Sequence, residues 1–569
     1  MTRKRSVLLL VLLLVSSVLA VADDSKLAPE LRDYKSSTRV KVIVQYSKPP
    51  SLLGSVVTLA GNIVSQLPLL NAVVRLVDCD ELLQLANDPN VVYVSPDRPL
   101  TMLLSNAAPA INAPTSWKYG YSGNGIGVAV IDSGVSAASD LNGGLLGMSR
   151  IVYSESFVPG SFSANDQYGH GTHIAGLIAG NGASSTGRSY FRTFKGIAPS
   201  AKVINLRVLD ASGGSTDSQV IAAIARAISL RSQYNIRVIN LSLGRPVMES
   251  YRLDPLCQAV EQAWKSGIIV VVAAGNYGRY NEAGNDGYGT IASPANDPYV
   301  ITVGAMRPMG TPQRKDDLIA SYSSKGPTGV DHIVKPDIVA PGNLLVSLGT
   351  NGTLASEYPA NKVPYSYYVY GGASATGPYF TLSGTSMAAA VVSGAVADLL
   401  QAQPKLTPDQ VKARLMKTAS KSFPKYSSVT DPTTGITYTS QYDIFTVGAG
   451  YLDLAAALAS TDLAKGTAMS PTATYDSNSE NVLLVKDSSA VWGSSAVWGS
   501  SAVWGSSVFV NPTSAVWGSS AVWGSSAVWG SSGNQGFSAV WGSSAVWGSS
   551  AVWGSSAVWG SSSSAAGEN

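Results

Sequence analysis

Short apolar runs rich in β-branched residues alternate with helical stretches over residues 115–460, and this alternation limits the fold more than any other feature of the chain. The runs are apolar at consecutive positions, which is typical of parallel strands buried on both faces. Such strands, when separated by helices, predict an α/β domain whose parallel sheet is covered by helices on both sides. We place strands at 127–131, 201–206, 238–243, 268–274 and 299–303, and helices at 218–227, 255–265 and 407–418.

Three side chains with hydrolytic chemistry fall at the ends of these elements. Asp132 follows the strand at 127–131, and open α/β sheets form their sites at the carboxyl ends of strands. His170 is one of three histidines in the chain, and Ser386 closely precedes the apolar helical run 388–400. Taken singly, an Asp before a turn or a Ser before a helix is ordinarily a cap. Together they offer a hydroxyl nucleophile, a base that takes its proton and an acid that orients the base.

The segments around these residues resemble the three signature blocks of the subtilases. The blocks are Val-Ile-Asp-Ser-Gly at 130–134, His-Gly-Thr-His-Ile-Ala-Gly at 170–176 and Gly-Thr-Ser-Met-Ala at 384–388. Their order, Asp then His then Ser, is also that of the family. The resemblance covers about residues 115–460 and implies a subtilisin-like fold and a serine endopeptidase. It assigns Ser386 as nucleophile, His170 as base and Asp132 as the group that orients the base.

The second histidine of the block, His173, is expected to be structural. A zinc site at this histidine pair is the competing interpretation, but the pair lacks the intervening base of the H-E-x-x-H arrangement. The sequence departs from the family at Ala390, where proline is usual and would make the start of the helix more rigid. We expect activity to survive this change, with looser positioning of Ser386.

The resemblance also implies residues that stabilise the oxyanion and hold the substrate. Asn276, in Ala-Ala-Gly-Asn at 273–276, is expected to donate to the oxyanion together with the backbone N–H of Ser386. Segments 212–215 and 241–244 resemble the two segments that bind the substrate backbone in this family; at 213–214, a simple turn is the alternative. Small residues predict an open S1 pocket that favours apolar side chains. The substrate-binding residues are predicted to be Gly213, Gly214, Ser242, Leu243, Gly244, Ala274 and Gly275.

The N-terminal region predicts export and self-inhibition. Three basic residues at 3–5, an apolar run at 7–15 and Ala-Val-Ala at 20–22 are the parts of a signal peptide, predicted at 1–22. A retained membrane anchor is the alternative, but it needs about 20 apolar residues. Residues 23–105 are predicted to be an inhibitory propeptide with a ferredoxin-like α/β fold, with strands at 39–46, 72–77 and 91–95 and helices at 51–67 and 79–88. We expect the chain to cut itself within 101–113, ahead of a catalytic domain at 106–462.

The C-terminal region changes character completely. After a predicted linker at 463–487, the hexapeptide Ala-Val-Trp-Gly-Ser-Ser occurs ten times within 488–569 and holds ten of the twelve tryptophans. A period of six keeps each Trp of a group on one face of an extended strand, so stacked β structure and a disordered tail both remain open. Exposed, uncharged tryptophans favour association. The alternative function is therefore a surface-attachment or self-assembly protein that acts mainly through these repeats.

Charge and cysteine content exclude other classes of function. The net charge is only +3, with no basic stripe, which argues against a nucleic-acid partner. The two cysteines, Cys79 and Cys257, form no metal motif and predict no disulfide framework. Polypeptide substrates and the protein's own propeptide are the expected partners. No cofactor or metal site is predicted with certainty; loop carboxylates that could bind calcium are Asp140, Asp166, Asp286 and Asp297.

Overall fold

The computed structural model describes residues 24–485, with gaps at 33, 35–38, 50–62, 98, 103–109, 144–146, 282–283, 310–313, 432–433 and 477–480. The predicted signal peptide at 1–22 and the tryptophan repeats lie outside the described residues. The chain divides into two compact units, one ending at Pro96 and the other beginning at Asp97.

The first unit is a four-stranded antiparallel sheet with a helix that packs on its last strand. The strands and helices are β1 (Val40–Tyr46), β2 (Ile63–Leu67), β3 (Ala72–Val77), β4 (Val91–Pro96), α1 (Pro29–Arg32) and α2 (Cys79–Asn87). The strands pair in the order β2-β3-β1-β4, as in a ferredoxin-like fold. Helix α2 begins at a capping box in which Asp78 and Glu81 each accept a backbone N–H from the other.

The predicted helix at 51–67 is wrong at its C-terminal end. Residues Ile63–Leu67 form strand β2, which pairs with β3 through a tight connection ending at Asn71. Asn71 has a φ of 52°, a left-handed conformation that asparagine tolerates well. Pairing with β3 therefore decides the conformation of this stretch, and local helix propensity does not. The rest of the predicted helix, 51–62, lies outside the described residues.

The second unit contains a large sheet and several small ones. Its strands are β5 (Pro99–Met102), β6 (Gly127–Asp132), β7 (Asn142–Gly143), β8 (Met148–Ser149), β9 (Ile151–Ser156), β10 (Lys202–Arg207), β11 (Ser215–Thr216), β12 (Ile236–Leu241), β13 (Leu243–Gly244), β14 (Ile269–Ala273), β15 (Ile301–Arg307), β16 (Leu318–Ile319), β17 (Ile338–Pro341), β18 (Leu345–Leu348), β19 (Lys362–Pro364), β20 (Thr376–Leu382), β21 (Tyr426–Thr430), β22 (Thr437–Gln441), β23 (Thr472–Asp476) and β24 (Asn481–Val485). Its helices are α3 (Ala113–Lys118), α4 (His170–Ala179), α5 (Asp217–Tyr234), α6 (Pro255–Lys265), α7 (Thr353–Glu357), α8 (Thr385–Ala402), α9 (Pro408–Thr418), α10 (Ile444–Val447) and α11 (Leu454–Ala459).

The large sheet confirms the predicted parallel α/β fold. Its strands run β16-β15-β14-β12-β6-β10-β9, with β17 also paired to β15, and every pairing except β15 with β16 is parallel. All residues of β6 and β14 are buried, as their unbroken apolar sequences require. Helix α8 is apolar on all sides and is buried from residue 385 to 400. It is long and apolar enough to span a membrane, but its burial identifies it as a core helix.

The order of the strands fixes where a site can form. From β6 the chain continues to β9 and β10 on one side of β6, and then returns to β12 and β14 on the other side. The strand order therefore reverses at β6, and the crevice at its carboxyl end is where open α/β sheets bind ligands. Asp132 is the last residue of β6.

Part of the predicted linker at 463–487 packs on the rest of the second unit. Strands β23 and β24 form a hairpin. The N–H of Val334 donates to the carbonyl oxygen of Pro471 at 2.8 Å, and the N–H of Ala473 donates to that of His332 at 2.8 Å. These contacts join backbone groups, so the side chains of this segment give no sign of them in the sequence.

A buried lysine fixes this region to the sheet. The ammonium group of Lys412, on helix α9, donates to the carbonyl oxygens of residues 298–300 at 2.7, 3.2 and 3.0 Å, and to Ser470 Oγ at 2.9 Å. It also lies 3.1 Å from the carboxylate of Asp337, and both side chains are fully buried. Removal of one partner from a buried ion pair leaves a charge that is poorly compensated.

We therefore predict that Lys412→Met lowers the free energy of unfolding by about 3 kcal/mol, because the Asp337 carboxylate loses one of its cations and four oxygen atoms lose a donor. Urea denaturation measures this in a Ser386→Ala background, which prevents self-digestion. The matched control is Lys405→Met, at an exposed lysine. Equal unfolding midpoints for the two variants would contradict the structural role of Lys412.

Candidate active site

Asp132 and His170 form a buried pair at the strand crevice. Oδ1 of Asp132 lies 2.8 Å from Nδ1 of His170, and both side chains are fully buried. The N–H of Ser133 donates to the same oxygen at 2.7 Å, which fixes the carboxylate. Because a carboxylate accepts a proton donor, this contact favours the tautomer with hydrogen on Nδ1 and a lone pair on Nε2. That Nε2 is buried and makes no hydrogen bond within the described part of the chain.

The start of helix α4 brings His170 to the carboxylate. Gly169 precedes the helix with a φ of 114°, a conformation that favours glycine. Any side chain on Gly171 would clash with the carbonyl oxygen of Gly134 and crowd Asp132. The two glycines that flank His170 therefore allow the helix to begin directly against the end of β6.

A second buried carboxylate, Asp166, holds this helix start. It accepts N–H groups of Gly169 at 2.7 Å and Thr172 at 2.8 Å, and also the hydroxyl of Ser133 at 2.8 Å. The Ser133 hydroxyl in turn accepts the N–H of Gly171 at 2.9 Å. Burial raises the pKa of Asp166, while these hydrogen bonds act against that change. Asp166 thus positions His170 through the backbone, a role that sequence reasoning missed.

Ser386 is the second residue of helix α8, and it is held against Ser242. Its Oγ donates to the carbonyl oxygen of Ser242 at 3.2 Å, and the Ser242 hydroxyl donates to the carbonyl oxygen of Ser386 at 2.9 Å. The Ser242 hydroxyl also accepts the side-chain amide of Asn240 at 2.9 Å. Helices α4 and α8 pack against each other. In this arrangement the Ser386 hydroxyl is not hydrogen-bonded to His170 Nε2.

Asn276 is fixed by the residue that precedes Ser386. Its Oδ1 accepts the N–H of Thr385 at 2.9 Å and the Thr385 hydroxyl at 3.0 Å. The same hydroxyl accepts the N–H of Gly275 at 3.1 Å. Gly275 has a φ of 118°, and a Cβ there would press on Ser324. The plane of the Asn276 amide is therefore set relative to the start of α8, and Thr385 is the second residue that the sequence analysis missed.

The two predicted substrate segments form the walls of a cleft that already contains a strand. Residues Pro99–Met102 (β5) lie antiparallel between β11 and β13, with Leu100 opposite Ser215 and Met102 opposite Leu243. Gly213 and Gly214 form the turn before β11, around the carboxylate of Asp210. Ala274 and Gly275 follow β14, and the Ala274 N–H donates to Val303. Both walls therefore pair with an extended chain in the manner of β-strand addition.

His173 occupies a purely internal position. Its Nε2 lies 3.1 Å from the carbonyl oxygens of Leu345 and Phe380. Burial, together with the neighbouring His170, lowers the pKa of His173 to about 3, so this ring is neutral at physiological pH. Within the described ranges, no group of three His, Cys, Asp or Glu side chains could hold a metal ion.

The four loop carboxylates considered for calcium do not form a common site. Asp140 accepts the N–H of Ser184 and the hydroxyl of Tyr379, both at 2.7 Å, and Asp166 is used at the start of α4. Asp286 is exposed. Asp297 is fully buried, and desolvation raises its pKa to about 8, which favours the protonated form. These side chains do not fit a calcium site, and no step in the chemistry is assigned to one.

An Asp–His pair at the end of a central parallel strand, near a serine at a helix start, defines an α/β serine hydrolase. Residues 123–447 match the subtilase family. The chain is 36% identical over 337 residues to serine protease AprX of Bacillus subtilis, covering 57% of this chain and 69% of that protein. It is 33% identical over 398 residues to subtilisin E of the same organism, covering 68% and 87%. The chain therefore belongs to the subtilase family and is a subtilisin-like serine endopeptidase.

A solved structure has the same fold. Fervidolysin from Fervidobacterium pennivorans, described as a keratinolytic enzyme related to subtilisin, superposes with a TM-score of 0.54 at 22% identity. The match covers 80% of this chain and 66% of fervidolysin. At this identity the likeness establishes the fold alone.

We predict that Asp166→Ala lowers the free energy of unfolding by about 2 kcal/mol and lowers kcat about tenfold, because the start of α4 loses its anchor and His170 shifts. Urea denaturation and peptide-cleavage kinetics measure the two effects. The control is Asp286→Asn, which changes an exposed carboxylate and keeps a residue type that tolerates its positive φ. Unchanged kcat in Asp166→Ala, despite lost stability, would show that Asp166 does not position His170.

Proposed function

We propose that this protein is a secreted serine endopeptidase that matures by cutting its own propeptide and hydrolyses peptide bonds through an acyl-enzyme. The observation that supports this most is the buried hydrogen bond between Asp132 and His170, formed next to the helix whose second residue is Ser386. This pair supplies an oriented base beside a hydroxyl at the positive end of a helix dipole.

In the proposed mechanism, the Ser386 hydroxyl rotates about its Cα–Cβ bond, away from the Ser242 carbonyl oxygen, and gives its proton to His170 Nε2. The freed Oγ attacks the carbonyl carbon of the scissile bond, and the negative charge that develops on the carbonyl oxygen is stabilised by the Asn276 amide and the Ser386 N–H. Collapse of this intermediate expels the amine, which takes the proton from Nε2. Water then attacks the acyl-enzyme by the same sequence of proton transfers.

The position of strand β5 supports a site for the proposed self-processing cut. Met102 lies opposite Leu243, and the preceding wall residue, Ser242, contacts Ser386 directly. An antiparallel chain that continues past Met102 therefore runs toward Ser386, so we propose that the first cut falls among residues 103–106. Those residues lie outside the described part of the chain. Before this cut, β5 fills the cleft, which supports the role of residues 23–105 as an inhibitor.

The proposal also covers export, calcium binding and the C-terminal tail. The predicted signal peptide supports a secreted protein, as does the resemblance to subtilisins. Calcium binding by other groups would add stability in line with the family resemblance. The tryptophan repeats would attach the enzyme to a surface or to itself. The domain boundaries at 1–22, 23–105, 106–462, 463–487 and 488–569 are kept as proposed, with residues 470–473 packed on the catalytic domain.

We predict that the purified wild-type precursor loses its propeptide and acquires a new N-terminus among residues 103–106, whereas Ser386→Ala remains at full length. The reason is that the cut needs the Ser386 hydroxyl and the chain in the cleft is its first substrate. Intact-mass spectrometry and N-terminal sequencing measure both results. Maturation of purified Ser386→Ala at the wild-type rate would refute the assignment of the nucleophile.

The variant Ser229→Ala serves as the control, since Ser229 is an exposed helical serine on α5 whose hydroxyl donates to the carbonyl oxygen of Arg226 at 2.7 Å. It should mature normally. A new N-terminus well outside 103–106, in an otherwise active wild-type enzyme, would show that the register of β5 does not guide the cut.

A further inference from the structure

A polar pocket of about 330 Å³ lies at one end of the small sheet β18-β20-β19. Its walls come from the turn after β18 at 349–351, from Lys362 at the start of β19 and from residues 376–380 of β20. The backbone of this sheet is well fixed, since Leu348 pairs with Tyr379 and Lys362 pairs with Phe380. The pocket therefore has walls that are held by main-chain pairing.

This pocket lies next to the histidine of the candidate active site. A Cβ placed on Gly169 would come within 3.1 Å of the Thr350 hydroxyl, and Thr350 lines the pocket. Phe380, another lining residue, offers its carbonyl oxygen to His173, one turn into the same helix as His170. The wall of the pocket therefore touches the residue that directly precedes His170.

The charge of the pocket is positive. Among the described residues that line it, Lys362 is the one charged side chain. The polar groups that could face a ligand are the hydroxyls of Thr350 and Thr376 and the amide of Asn351, since the Tyr379 hydroxyl already donates to Asp140. Lys362 is half-buried and has no ion pair or side-chain hydrogen bond with the described residues. A cation surrounded by hydroxyl and amide groups, with no carboxylate in the wall, favours an anionic group.

Neither β11 nor β13, the two strands that pair with β5, lines the pocket. In the proposed function β5 lies before the scissile bond, so this pocket is left for residues that follow the bond. Thr350, which lines the pocket, lies beside Gly169, the neighbour of His170 in the sequence. Because each extended residue advances the chain by about 3.3 Å, we assign the pocket to the second or third residue after the scissile bond.

We propose that this pocket is a substrate subsite that binds an Asp or Glu side chain two or three residues after the scissile bond, through Lys362. This inference rests on the proposed endopeptidase function and specifies its substrate class. The carboxylate would pair with the Lys362 ammonium and accept hydrogen bonds from the neighbouring hydroxyls. Because Lys362 is partly exposed to solvent, we expect its ion pair with the substrate to change specificity only moderately.

The test uses internally quenched peptides that differ only by Glu, Gln or Lys at these two positions. For the mature wild-type enzyme we expect kcat/KM to be about threefold to fivefold higher with Glu than with Gln. In Lys362→Ala the ratio should fall to about one, and Lys362→Glu should prefer Lys over Glu. Peptides with Gln should be cleaved equally by wild type, Lys362→Ala and the control Lys405→Ala. A Glu-to-Gln ratio that is the same in wild type and Lys362→Ala would overturn the subsite.

Binding to Ser386→Ala separates this proposal from the proposed function. Fluorescence anisotropy with the Glu and Gln peptides should show tighter binding of the Glu peptide, and Lys362→Ala in the same background should remove the difference. If wild type cleaves none of the peptides, the proposed function fails while this binding difference still supports an anion subsite. If wild type cleaves the Gln peptide but neither assay distinguishes Glu, the subsite is wrong and the endopeptidase function stands.

Discussion

The hydrogen bond between Asp132 and His170 is the interaction on which the rest of the site depends. Both groups are fully buried, and the imidazole and the N–H of Ser133 stabilise the carboxylate by contacting its Oδ1. This requires that the end of β6 and the start of α4 meet closely. The glycines on either side of His170 permit that approach, and the Asp166 carboxylate holds it. The same contacts therefore stabilise this part of the fold and orient His170.

A separate set of hydrogen bonds holds the serine side of the site. Ser242, in the wall of the cleft, exchanges hydrogen bonds with Ser386, and Thr385 fixes the amide of Asn276. The proposed substrate wall, nucleophile and oxyanion donor are thus linked through neighbouring residues. Strand β5 pairs with β13 and ends opposite Leu243, the neighbour of Ser242. The proposed reaction requires the Ser386 hydroxyl to leave the Ser242 carbonyl oxygen and reach His170 Nε2.

Much of the fold could be predicted because it depends on local signals. The helices predicted at 255–265 and 407–418 are found at Pro255–Lys265 and Pro408–Thr418, each with proline in its first turn and a capping residue before it. The unbroken apolar runs identified the parallel strands. Helix α5 continues seven residues beyond the predicted end at 227. None of these seven residues is fully buried, so they carry only a weak apolar pattern.

Other features depend on contacts between distant segments and leave no local trace. Strand β2 forms because β3 is available as a partner, and residues 470–473 pack through backbone hydrogen bonds. The sequence motifs indicated Asp132, His170, Ser386 and Asn276, whose catalytic roles remain predictions. They did not indicate Asp166 or Thr385, whose contribution is to fix those side chains. A carboxylate four residues before His170 was the one available signal, and it resembled an ordinary loop residue.

The central claim is that Ser386 becomes nucleophilic through His170. The most direct measurement is the rate at which a serine-directed fluorophosphonate labels the mature enzyme, with the modified residue located by mass spectrometry. We expect labelling at Ser386 alone, and a rate at least about 1000-fold lower in His170→Ala. Labelling at another serine, or an unchanged rate at Ser386 without the imidazole, would contradict the account.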